Sequence, residues 1–218
     1  MATTLKDYLQ SVYPTACRAV RKATIRAETT SKEYFEIKDL EESEKSNTNS
    51  DPVNIPIIKD ENEGVACFYN PKHIATYIVD FEYYINGFRT EAARGGRKCD
   101  FILSNLNNNP FIILNELKKR KEGYIKEEEA IAQLNASIEK LSKGDVPFLS
   151  QFKHKVALLS YRLTDSNSPS LVAQGIGRFG KPTNIVKNIS LHDPLQAGFI
   201  LEQRIYPEKF ELPPEEHK

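Results

Sequence analysis

The sequence predicts an α/β fold, and three observations carry the prediction. Two apolar runs, residues 97–105 and 110–118, flank a turn at Asn107, Asn108 and Asn109, the pattern of an antiparallel hairpin. Residues 124–142 then place Ile131, Leu134, Ile138 and Leu141 on one helical face, with Glu127, Glu128 and Glu129 in the first turns, where the helix dipole favours acids. Residues 154–163, HKVALLSYRL, return to strand character. A chain of 218 residues fits a single domain spanning 1–218.

The other elements follow in order. Residues 3–29 predict a helix, because Ala16, Val20, Ala23 and Ala27 recur at helical spacing and Pro14 suits an early helical position. Arg18, Arg21, Lys22 and Arg26 would then line much of its remaining surface, as a solvated basic face rather than a phosphate-contacting one. Residues 32–38, KEYFEIK, read as a strand, and 40–54 as a polar mobile linker. Residues 70–85 carry two periodicities. Ile74, Tyr77, Ile78, Phe81 and Ile85 share a helical face, while Tyr77, Val79, Phe81, Tyr83 and Ile85 alternate as in a strand. Asn70-Pro71 is a good helix start and tips the prediction to helix. Strands are expected at 170–176 and 199–206, and the tail ELPPEEHK as a frayed end. The core is then about 70–165, with an N-terminal helical extension over 1–40 and C-terminal strands within 170–206.

Composition excludes several function classes. Thirty basic and thirty acidic residues give zero formal net charge, so nucleic-acid affinity must come from local clusters. Cys17, Cys67 and Cys99 are an odd number at wide spacing, which argues against structural zinc and a disulfide framework. His73, His154, His192 and His217 lack metal-ligand spacing. No apolar run approaches the roughly 20 residues of a membrane span, and MATTLKDYLQ is not a signal peptide. The expectation is an intracellular protein. Gly175 to Gly180 matches GxGxxG, but Lys181-Pro182-Thr183 follows where a dinucleotide fold needs a helix, so a glycine hairpin is expected.

The hairpin carries charge where a buried strand should not. Asp100 interrupts the first run; Glu116 and Lys118 interrupt the second. Glu116 and Lys118 are two apart and share a strand face. A turn near Asn108 puts Asp100 opposite Glu116, about 5 Å away at Cβ. Two carboxylates that close repel unless a cation lies between them, and hard oxygen donors suit Mg2+. The Leu117 carbonyl would complete the ligand set. Lys118 would stand beside the attacking water or the phosphate charge. These are the parts of phosphodiester hydrolysis. A surface Glu–Lys pair on an edge strand explains Glu116 and Lys118 more cheaply but leaves Asp100 unexplained.

Asp100, then fifteen residues, then Glu116-Leu117-Lys118 at the end of an apolar strand, then a helix bearing Gln133, resembles the PD-(D/E)XK, or restriction-endonuclease-like, nuclease superfamily. The resemblance covers roughly residues 70–165. It implies a mixed central sheet flanked by helices and a Mg2+-dependent nuclease, with Mn2+ as the alternative ion, acting on DNA or RNA. It makes Asp100 and Glu116 metal ligands, Lys118 the catalytic lysine and Gln133 a supporting residue. It adds an auxiliary acid, for which Glu82 is the first candidate and Glu91 the second. Cys99 stands where the family usually has proline. Glu36-Ile37-Lys38 and Glu216-His217-Lys218 repeat the tripeptide without an Asp on a preceding hairpin strand.

Basic residues flank the proposed centre: Arg94, Arg97 and Lys98 before it, Lys119, Arg120 and Lys121 after it. They could hold phosphates on both sides of a cut, or they could be solvated loop charges. Tyr83, Tyr84 and Tyr124 suit core packing better than base stacking. Cutting both strands of a duplex would usually require two active sites, which a homodimer would supply, and the sequence leaves the oligomeric state open. The rival expectation is a catalytically inactive nuclease-like module that binds nucleic acid or serves as a scaffold.

Overall fold

In a computed structural model of the chain, the structure describes residues 3–19, 23–39, 57–59, 62–106, 110–120, 127–143, 147–163, 187–188 and 197–214. The first helix, α1, occupies residues 5–16 as three continuous pieces: Leu5–Asp7, a π-helical Tyr8–Val12, and Tyr13–Ala16. Then come β1 (Ala27–Thr30), β2 (Tyr34–Ile37), β3 (Ile58–Lys59), β4 (Ala66–Tyr69) and β5 (Thr76–Asp80). Two short helices, α2 (Phe81–Asn86) and α3 (Glu91–Arg94), lead to β6 (Phe101–Asn105) and β7 (Phe111–Arg120). The long helix α4 (Glu127–Leu141) and a 3-10 turn (Phe148–Gln151) precede β8 (His154–Leu163), β9 (Lys187–Asn188), β10 (Ile200–Ile205) and β11 (Lys209–Glu211).

The central sheet is mixed and runs β1-β5-β6-β7-β8-β10-β9. β5, β6 and β7 form an antiparallel meander. β7 and β8 are parallel, Phe111 opposite His154 and Arg120 opposite Leu163, so α4 is the crossover between them. A smaller sheet runs β11-β4-β2-β3. β7 explains the layering. Its Ile112 and Leu114 join a core with α1 and α4 residues such as Leu9, Leu134 and Ile138. Its Phe111, Ile113 and Leu117 join a second core with Phe35, Phe68 and Phe210 of the smaller sheet. With both faces covered, the strand reads as a continuous apolar run rather than an alternating one. The molecule is thus a mixed α/β fold: helices, central sheet, second sheet. Among the described residues no helix is long and apolar enough to cross a membrane.

The second hairpin strand, α4, β2, β8 and β10 lie where the sequence predicts them, whereas the first hairpin strand, expected over 97–105, begins at Phe101 and leaves Asp100 just before it. Other elements differ. The predicted helix over 3–29 stops at Ala16, and Ala27–Thr30 is a strand paired with β5. The stop is a Schellman turn: Ala19 N–H donates to Pro14 O (2.9 Å) and Arg18 N–H to Thr15 O (3.0 Å), with Arg18 at φ 50°. Arginine in the left-handed position, where glycine is usual, hides the stop. Arg26 is no surface charge. It is 1% exposed, donates to Asp80 Oδ2 at 3.0 Å and lies 3.9 Å over the Tyr83 ring. Tyr84 is core, as expected.

Residues 70–85 are not one helix but a strand followed by a helix, so the alternation holds over Tyr77 and Val79, and the expected helical face does not form: Ile74 and Ile78 belong to one core, Tyr77, Phe81 and Ile85 to the other. Tyr77 and Val79 face the helices, Ile78 the second sheet. The helix starts at Asp80, whose Oδ1 accepts from Tyr83 N–H at 2.8 Å. Asn70 instead closes a turn: its Oδ1 accepts from Ile74 N–H (2.8 Å) and its Nδ2 donates to Ile74 O (3.0 Å). Because Asn70 is fully buried, Asn70→Ala is expected to cost about 1–3 kcal/mol by orphaning the Ile74 N–H, while the Ile74 carbonyl keeps the Thr76 hydroxyl at 3.0 Å, measured as a lower urea midpoint at unchanged slope. The tail is tied down at its start, since β11 pairs with β4 and Leu212 N–H donates to Tyr69 O at 2.9 Å. The linker 40–54, the turn at 107–109, the strand at 170–176, the Gly175 to Gly180 loop, Lys121 and Tyr124 lie outside the described residues.

Candidate active site

Asp100 begins the site. It sits immediately before β6, where the chain turns from the α2–α3 segment into the sheet. Its backbone carbonyl accepts from Phe81 N–H (2.8 Å) and Glu82 N–H (3.2 Å), the free donors of the first turn of α2. Its side-chain Oδ2 accepts from Leu117 N–H at 2.7 Å. The β6–β7 register sets this reach: Phe101 lies opposite Asn115, and one step further brings Asp100 to Glu116. Both backbone and carboxyl are held.

Glu116 and Lys118 share a face of β7 with Ile112 and Leu114, the face toward α4. Lys118 Nζ donates to Glu116 Oε1 at 2.6 Å and to Gln133 Oε1 at 2.9 Å. Gln133 stands on α4 and its Nε2 also reaches Lys98 O at 3.4 Å. The crossover helix therefore fixes the lysine from above while the strand fixes it from beside. Glu116 is 1% exposed and its Oε2 is buried with no hydrogen-bond partner.

Electrostatics make this a strained group of acids. Burial pushes the Glu116 carboxyl up to about 7; the Lys118 ammonium opposes that, and the charges of Glu82 and Asp39 add to it. Burial, then the Glu116 charge, drives Asp100 well above the carboxylate range, against the pull of the Leu117 N–H; Glu82 and Asp39 push the same way. Cys99, fully buried beside them, is raised too, first by burial.

The structure thus brings Asp100, Glu116, Leu117, Lys118 and Gln133 into one hydrogen-bonded patch. Glu82 lies in the first turn of α2, and its charge bears on both acids. Glu91 is exposed on α3. Arg94 and Arg97 are exposed; Lys98 is half-buried, with Nζ on Asn86 Oδ1 at 2.7 Å. Lys119 is exposed, and strand alternation puts it on the opposite face of β7 from Lys118. Arg120 ends β7. Asp39 is the residue that sequence reasoning misses. It follows β2, far from Asp100 in the chain, at the edge of the polar run, and no local pattern marks it.

Among the described residues, no group of three or more His, Cys, Asp and Glu side chains is gathered as a metal site. No protein-family model, curated protein or solved structure matches the chain.

Proposed function

We propose that this chain is a divalent-cation-dependent nuclease, hydrolysing phosphodiester bonds of DNA or RNA, with a restriction-endonuclease-like core over residues 76–163. The carrying observation is the buried, unpartnered Glu116 Oε2 beside a lysine held from two sides. An orphan carboxylate oxygen in the interior costs free energy, and an acid with a raised pKa costs more once ionised. A hard cation removes both costs, so the residues present fit one. Three features of the fold support the same reading: the antiparallel meander β5-β6-β7, the crossover helix α4, and β8 parallel to β7.

Asp100 and Glu116 would hold Mg2+, or Mn2+, with Glu82 and the Leu117 carbonyl as further ligands. The ion would supply positive charge to offset these acids and the phosphate. Lys118 has three N–H donors, and Glu116 and Gln133 take two. The third is available to a phosphate oxygen or to the attacking water. Its charge would stabilise the extra negative charge of the pentavalent transition state. Gln133 keeps the ammonium from turning away. Exposed Arg94 and Arg97 precede Asp100 in the chain and would contact phosphates flanking the cut.

The test offers single- and double-stranded DNA and RNA to the full chain in Mg2+, Mn2+ or EDTA. Cleavage in either metal and none in EDTA is expected. Nucleic-acid binding without cleavage in any metal would replace the nuclease with a binding or scaffold module.

A further inference from the structure

We infer that Ser137 and Lys140 of α4 are positioning residues for Asp100, an assignment that rests on the nuclease reading above. Gln133, Ser137 and Lys140 are spaced i, i+4, i+7 and share one helical face. They meet three consecutive residues of the segment that delivers Asp100. Gln133 Nε2 donates to Lys98 O (3.4 Å), Ser137 Oγ accepts from Cys99 N–H (2.7 Å), and Lys140 Nζ donates to Arg97 O (2.9 Å).

These bonds replace a ladder. β6 begins at Phe101, so residues 97–99 precede the strand, and their backbone groups turn to side chains for partners. The helix supplies them. The choice of residues is costly for mere packing. Ser137 is fully buried and Lys140 is 6% exposed, although lysine is almost never buried unless paired. Leu134, Ile138 and Leu141 already anchor α4 in the core. Space is tight around the lysine as well: a Cβ on Gly95, which sits at φ 52°, would lie 2.9 Å from Lys140 Nζ.

The row also couples two parts of the site. Gln133 holds Lys118 with its oxygen and the Asp100 segment with its nitrogen. Ser137 Oγ in turn donates to Gln133 O at 2.9 Å. A shift of α4 therefore moves the lysine and the aspartate together. Ser137 acts on Asp100 through the backbone of Cys99, the residue immediately before it, whose N–H it holds.

The readout is the Leu117 amide, which Asp100 Oδ2 accepts. Neither Ser137 nor Lys140 is bonded to that amide. Hydrogen exchange is measured on the full chain for wild type, Ser137→Ala and Lys140→Met, with the melting temperature of each. Leu117 should exchange roughly ten- to a hundredfold faster in both variants while the Ile113 amide of the same strand keeps its protection. Cleavage in Mn2+ should fall with it, and Lys140→Arg should restore both. Leu117 protection unchanged in both variants would overturn the assignment, as would a uniform loss of protection along β7, which marks a merely structural role. If Ser137→Ala does not fold, Lys140→Met alone decides. A wild type that never cleaves sinks the nuclease reading, and the exchange result still decides whether this row positions Asp100.

Discussion

Lys118→Ala should lower metal-dependent cleavage by roughly a thousandfold while the protein stays folded. Lys118 Nζ is bonded to Glu116 Oε1, and Gln133 Oε1 holds it there. Removing it deletes the donor left for the phosphate and the water. The loss belongs in kcat rather than KM, because the interaction strengthens only as charge builds on the phosphate. Stability should change far less. The side chain is 16% exposed, and the Glu116 it leaves behind can take up a proton, since burial already raises its pKa to about 7. A Gln133→Ala variant should fall between the two, since Lys118 keeps its bond to Glu116 but loses its lateral restraint. The decisive comparison is single-turnover cleavage of Lys118→Ala against wild type at matched circular dichroism. Equal rates would remove the lysine from the chemistry and leave the pair as a structural contact.

The parts of this site that the sequence revealed are those encoded locally. The β6–β7 hairpin shows as two continuous apolar runs flanking an Asn-rich turn, because both faces of its strands are buried. The charges at Asp100, Glu116 and Lys118 stand out against apolar neighbours for the same reason. Helix α4 follows from its periodicity, and Gln133 comes with it. The second sheet was less legible. β2 and β4 have four residues each and β11 has three. Their pairings join Tyr34 to Tyr69 and Phe68 to Phe210, across most of the chain. β2 shows in KEYFEIK, but β4 and β11 carry almost no periodic signal, and only the apolar surface they help to cover makes them strands.

One local signal was present but pointed the wrong way. Asn70 and Asp80 are both good helix caps, and only packing decides which one is used. Asp80 wins because it also receives buried Arg26, while Asn70 spends its amide on Ile74. Arg18 ends α1 in a conformation that the sequence does not advertise. Asp39 belongs to a third kind of omission. Its charge acts on both acids from just beyond the end of β2, so that effect depends on the second sheet being in place.

The same group of acids gives the second large expected effect, one of stability against pH. Glu116 is raised from 4.5 to about 7 on folding. The folded protein therefore holds that proton more tightly than the unfolded chain does. As pH rises from 4.5 to about 7, the unfolded chain ionises first and stability falls; above that window the full penalty remains. At about 1.4 kcal/mol per pH unit of displacement, the penalty is on the order of 3 kcal/mol. Asp100 is raised as well and acts in the same direction. In EDTA, Glu116→Gln should therefore raise stability at pH 8 by up to about 3 kcal/mol and change it little at pH 5. The amide still accepts from Lys118, so the gain is not undone by a lost contact. Mn2+ reverses the ranking. It should stabilise the wild type at pH 8, where both acids ionise to bind it, and much less at pH 5, where protons compete. Glu116→Gln should lose both that response and cleavage. Urea titrations at the two pH values, with EDTA and with Mn2+, measure all four states. A variant less stable than wild type at pH 8 in EDTA would mean that Glu116 is a satisfied structural carboxylate, and the case for an ion beside it would end there.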